Sequence, residues 1–108
     1  MSFPTSSALI EFLILAILEK DDSYGYEISQ TINIKESTLY PILKKLEQND
    51  CLTTYSQEYQ GRKRKYYSLT AYGHEHLLTL KEEWQTYTMT ISGIIEGSIR
   101  HDKNRVSS

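Results

Sequence analysis

Apolar residues crowd the front of the chain, fall at helical intervals in its middle, and thin to a single seam towards its end. From Ala8 to Leu18 every position except Glu11 is apolar. A helix that is apolar nearly all round must be buried nearly all round. A short chain covers about one face of its first helix, so the other face, with Leu9, Phe12 and Leu13, is expected to meet a second copy. The polar run Glu19-Lys20-Asp21-Asp22 is expected to end this helix. A second helix is predicted from about Tyr24 to Ile32, capped by Asp22 or Ser23. Tyr24, Ile28 and Ile32 share one of its faces, and Gly25 permits close approach of a neighbour.

Only Asn33 to Lys35 separate this helix from the next, as suits a helix-turn-helix. The third helix is predicted over Glu36–Gln48. Leu39, Ile42, Leu43 and Leu46 fall at i, i+3, i+4 and i+7, which makes one buried stripe. The opposite face holds Ser37, Tyr40, Pro41, Lys44, Lys45 and Gln48. Two features resist the assignment. Lys35 is a poor cap, and Pro41 inside a helix costs about 3 kcal/mol. Propensity alone would start the helix at Pro41, but the stripe needs the longer one. It should end by Asn49-Asp50.

Leu52–Glu58 and Lys63–Leu69 read as two strands rich in Thr, Tyr and Ser, with Gly61 supplying a positive φ for the turn. Thr70 can cap a last helix from about Ala71 to Ile95 or Arg100. Its residues Leu77, Leu80, Trp84, Tyr87, Ile91 and Ile94 are spaced 3, 4, 3, 4, 3, the narrow seam of a coiled coil. Such a seam is expected to pair with another subunit, beside the first helix. Gly93 and Gly97 weaken the last turns. The fold class expected is mainly α with a small β-hairpin: a winged helix-turn-helix over residues 1–70, a dimerisation helix over 71–100, and a polar, disordered tail over 101–108.

Charge sharpens this picture. The 108 residues carry a net −2, which does not advertise a nucleic-acid binder. The distribution is uneven, however: residues 1–34 sum to −4, residues 35–65 to +3, and residues 66–108 to −1. A local basic segment is the footprint that phosphate binding requires. The single Cys51 excludes an intrachain disulfide, which fits a reducing cytoplasm. No secretory signal precedes the apolar run, and eleven residues are too few to span a bilayer, so no membrane partner is expected.

Tyr24-Gly25-Tyr26-Glu27-Ile28, Ser37-Thr38-Leu39-Tyr40-Pro41-Ile42-Leu43, and Gly61-Arg62-Lys63-Arg64-Lys65-Tyr66-Tyr67-Ser68-Leu69-Thr70 followed by Gly73 occur in order. Together they resemble the PadR family of bacterial transcriptional regulators across about residues 8 to 80. The resemblance implies a winged-helix homodimer, joined through its first and last helices, that represses from pseudo-palindromic double-stranded DNA. It implies recognition-helix contacts from Ser37, Thr38, Tyr40, Pro41 and Lys44, and wing contacts from Arg62, Lys63, Arg64 and Lys65. Lys45, on the same outer face, is a further candidate for phosphate. In drug-sensing relatives a tryptophan on the last helix stacks flat aromatic ligands, and Trp84 sits at that place. An aromatic small-molecule effector is therefore one alternative. A winged-helix module that binds an acidic protein is another.

No enzyme is expected. Nothing resembles a glycine-rich phosphate loop or a nucleophile with an adjacent base. His74 and His76 are two apart and point to different helix faces, unlike a metal pair at i, i+4. No metal and no cofactor are implied.

Overall fold

The structure, a computed structural model, describes residues 6–97. Its elements are α1 (Ser7–Lys20), β1 (Ser23–Tyr24), α2 (Gly25–Ile32), α3 (Glu36–Gln48), β2 (Leu52–Tyr59), β3 (Arg62–Leu69) and α4 (Ala71–Glu96). Ser6 caps α1, its Oγ accepting the Leu9 N–H at 3.2 Å. Ile10, Ile14, Leu15 and Leu18 form the buried face, while Leu9, Phe12 and Leu13 are half-buried in the single chain. The helix takes in Glu19 and Lys20 rather than stopping at Leu18. Lys20 in the last turn suits the negative end of the helix dipole.

The expected two-stranded hairpin is a three-stranded antiparallel sheet, in the order β1-β3-β2. Ser23 and Tyr24, read as the cap and start of α2, instead pair with Tyr67 and Tyr66 of β3. Tyr24 provides no side-chain cap, and α2 begins at Gly25. Helix α2 ends because Asn33 takes the left-handed conformation at φ 68°, which an asparagine tolerates. The N–H groups of Asn33 and Ile34 then both bond the Ser29 carbonyl, at 2.8 and 3.0 Å.

Helix α3 forms at its expected length with Pro41 inside it, and Leu39, Ile42, Leu43 and Leu46 are all buried. Asp50, at φ 64°, turns the chain into β2. Strands β2 and β3 each reach one residue further than expected, to Tyr59 and Arg62. Both turn residues, Gln60 at φ 50° and Gly61 at φ 79°, are left-handed. That is the hairpin turn whose twist matches its strands.

Thr70 joins sheet to helix. Its Oγ accepts the Gly73 N–H at 2.8 Å, capping α4, while its hydroxyl donates to the Asp50 carbonyl at 2.7 Å. The compact unit that begins with α1 runs on through Leu77, past the boundary at 70 read from sequence. Leu77 is 0% exposed. It belongs to the chain's own core and is removed from the proposed dimer seam.

The rest of α4 falls in a second unit. There Leu80 and Ile91 are half-buried, while Trp84, Tyr87 and Ile94 are exposed. The Trp84 and Tyr87 rings lie 5.9 Å apart, tilted by 47°. Gly97, at φ 84°, follows the end of the helix. The expected tail over 101–108 lies outside the described residues. Among those residues no helix is long and apolar enough to cross a membrane.

Candidate nucleic-acid interface

Because its stripe is buried, α3 must turn Ser37, Tyr40, Pro41 and Lys44 outward, and all four are exposed. Thr38 is exposed as well, at the flank nearer Ile34 and Ile10. Tyr40 makes two contacts through the hydroxyl end of its ring. Its hydroxyl donates to Glu36 Oε2 at 3.0 Å, and the ring lies over Gly25. A Cβ added to Gly25 would come within 2.7 Å of two ring carbons. The close neighbour that Gly25 was expected to admit is therefore Tyr40. Burial, then the bond to Glu36, pushes the Tyr40 phenol above its ordinary value, so it remains a donor at neutral pH.

Lys45 is placed differently. Its Nζ is 2.7 Å from Glu11 Oε2 on α1. The structure gives this lysine an intrachain partner and turns it to the α1 flank of the helix. Lys44, one residue earlier, has no acidic partner among the described residues.

Side chains alternate across a strand, so the cations of β3 divide between two faces. Lys63 and Lys65 share theirs with buried Tyr67, and Lys65 reaches towards α3, 3.9 Å from Glu47. Arg62 and Arg64 share the outer face with Tyr66. The register puts Tyr55 opposite Tyr66, Gln57 opposite Arg64 and Tyr59 opposite Arg62. The Arg64 guanidinium sits 4.2 Å from the Tyr24 ring centre and 4.1 Å from that of Tyr59. Its hydrogen bond with the Tyr66 side chain holds its pKa above the ordinary value. Tyr66 stacks on Tyr55 at 5.6 Å, and Tyr55 donates to Asp22 at 2.7 Å. This tyrosine cage was missed in the sequence. The alternation of Tyr55, Tyr59 and Tyr66 about the turn could have revealed it, but Tyr24 joins only through β1, which was not foreseen.

Between these parts lies an open cleft of about 340 Å³. The start of α2, Tyr40 of α3, and Arg64, Lys65 and Tyr67 of β3 line it. Of the expected α3 and wing residues, Tyr40, Arg64 and Lys65 border this cleft, and Thr38 borders another beside Ile10 and Ile34. Lys45 is bound to α1 instead, and the α4 seam from Leu80 on belongs to the second unit.

Comparison with known proteins gives the family. The family model described as the transcriptional regulator PadR-like family matches residues 14–79. The crystal structure of smu.1704 from Streptococcus mutans is similar, with 64% identity, a TM-score of 0.89, and coverage of 94% of this chain and 100% of that one. A PadR family transcription regulator from Clostridium difficile is 35% identical with a TM-score of 0.75, over 80% of this chain and 97% of that one. An uncharacterised protein of Lysinibacillus sphaericus is 36% identical, over 82% of this chain and 89% of its own length. A winged helix-turn-helix with its motifs in this order, matched over more than half its length, belongs to the PadR-like family of transcriptional regulators.

Proposed function

We propose that the protein is a sequence-specific DNA-binding regulator that acts as a homodimer on a pseudo-palindromic operator, most simply as a repressor. One observation carries this reading: the exposed face of α3 and the cationic strand β3 border the same cleft. Ser37, Thr38, Tyr40 and Pro41 would meet base edges or position the helix, and Lys44 would take a phosphate. Arg62, Lys63, Arg64 and Lys65 would engage the flanking backbone or minor groove. Lys45 contributes less, being already neutralised by Glu11.

The dimer would rest on two apolar surfaces that the single chain covers only in part. These are Leu9, Phe12 and Leu13 on α1, and Leu80, Trp84, Tyr87, Ile91 and Ile94 on α4. Two recognition helices held about one helical turn apart would fit two half-sites.

Footprinting on the promoter of its own gene, with Arg62→Ala/Lys63→Ala as control, tests the proposal. A protected, two-fold-related site lost in the variant is expected. Equal binding by the variant would favour a protein-interaction module instead. The exposed Trp84–Tyr87 pair supports a second reading, in which a planar aromatic effector stacks there. Trp84 emission that stays constant on titration with planar cationic dyes would reject it.

A further inference from the structure

We propose that Glu36, the first residue of α3, reads a cytosine in the major groove by accepting a hydrogen bond from its N4 amino group, and so fixes one base pair of each half-site. This rests on the DNA-binding reading and gives a duty to a side chain to which that reading assigns none.

Glu36 opens the helix whose outer face carries Ser37, Tyr40 and Lys44, and like them it is exposed. A recognition helix meets base edges through its N-terminal residues. Among the described residues no lysine or arginine forms an ion pair with this carboxylate. A lone acid on a face that meets phosphates lowers affinity for every sequence. It acts on specificity instead, because a duplex that offers it no donor leaves it facing other acceptors.

The carboxylate is also held. Tyr40 lies one turn further along α3, and its hydroxyl donates to Glu36 Oε2 at 3.0 Å. The Tyr40 ring in turn lies over Gly25 at the start of α2. Glu36 is thereby tied to the neighbouring helix through Tyr40, and less side-chain freedom is lost when it meets a base.

Polarity then selects the base. Burial, followed by the bond to Glu36, pushes the Tyr40 phenol above its ordinary value, so it keeps its proton and commits it to Glu36. What the pair offers to the groove is therefore acceptors alone. On the major-groove edge, guanine presents only acceptors, and thymine an acceptor and a methyl group. Adenine has an amino group, but its N7 acceptor lies beside it and would oppose the second carboxylate oxygen. Cytosine presents a donor with no acceptor of its own on that edge.

Competitive binding with the full chain tests the assignment. Duplexes from the footprinted site would carry each base-pair change in turn, made in both half-sites. They would compete for wild type, Glu36→Gln and Glu36→Ala, with circular dichroism checking the fold of each variant. Glutamine keeps an acceptor for Tyr40 and adds an amide donor, the match to adenine. In wild type, replacing one particular cytosine by thymine should lower affinity about tenfold per half-site. Glu36→Gln should move the preference to adenine at that position alone, and Glu36→Ala should abolish it there.

If all three proteins rank the base pairs identically at every position, the proposal fails while DNA binding stands. A loss in Glu36→Ala that is equal for all sequences, and restored in Glu36→Gln, would make Glu36 a support for Tyr40 only and would overturn the proposal too. A wild type that binds no duplex would remove both readings.

Discussion

Lys44 and Lys45 are chain neighbours with the same formal charge and different surroundings, so replacing each by Ala separates duplex contact from scaffold. Lys45 Nζ lies 2.7 Å from Glu11 Oε2, and Glu11 has only 14% of its side chain exposed. Lys44 is exposed on the outer face of α3. Each phosphate neutralised steepens the dependence of log K on log salt by about 0.9. A dimer carries two copies of Lys44, so Lys44→Ala should flatten the slope by about 1.8. Between 50 and 200 mM salt, the ratio of wild-type to variant affinity should then shrink by about twelvefold. Lys44, Arg62, Lys63, Arg64 and Lys65 in both protomers together set a wild-type slope of about −9. Lys45→Ala should leave the slope unchanged. Its cost should appear as stability, up to about 1 kcal/mol because the lysine is 58% exposed and solvent screens the pair. That corresponds to a fall in Tm of about 4–8 °C at most. Fluorescence anisotropy on a labelled random duplex at four salt concentrations, beside thermal melts, reads both quantities. Equal flattening by the two variants would refute the placement of Lys45, and no flattening by Lys44→Ala would refute that of Lys44.

Two glycines separate stability from function in the same manner. At Gly73 a Cβ would collide with the Cys51 carbonyl, which is backbone, and come within 2.7 Å of Leu69 Cδ1, so Gly73→Ala should cost about 1–3 kcal/mol in urea unfolding. At Gly25 the obstacle is the half-exposed Tyr40 ring, which can swing away. Gly25→Ala should change stability by less than about 1 kcal/mol yet weaken DNA binding in a gel shift. If the proposed dimer forms through α4, Ile94→Glu, at a position 58% exposed in one chain, should shift the sedimentation mass from twice 12.6 kDa to 12.6 kDa. Cys51 is 3% exposed, and burial, then the nearby Glu11 and Asp50 carboxylates, pushes its thiol upward. Native protein at pH 8 should resist a disulfide-exchange reagent that reacts at once in guanidinium, and fast native labelling would contradict the packing.

The helix-turn-helix could be read from sequence because its signals are local and periodic. The Leu39, Ile42, Leu43 and Leu46 stripe outweighed the poor cap at Lys35 and the proline at 41, and burial of all four side chains gives the reason. Gly61 and Thr70 are legible for a similar cause, since each performs one backbone task that few residues can. Strand β1 has no such signature. Two residues cannot display a period of two, and Ser23 and Tyr24 become a strand only because β3 lies alongside them. The attachment of Lys45 is hidden for another reason: Glu11 is 34 residues away. Leu77 illustrates the converse error, where a correct spacing spans two environments and the first residue of the seam is already spent in the core.

The brevity of β1 has a consequence for anyone exchanging parts between relatives. Tyr24 ends that strand, stands at the uncapped start of α2 and lies with its ring centre 4.2 Å from the Arg64 guanidinium, so part of the wing's support lies outside the hairpin. A chimera that transplanted residues 52–69 alone would deliver a guanidinium missing half its shelter. The portable module is discontinuous, and Asp22, Ser23 and Tyr24 have to travel with it.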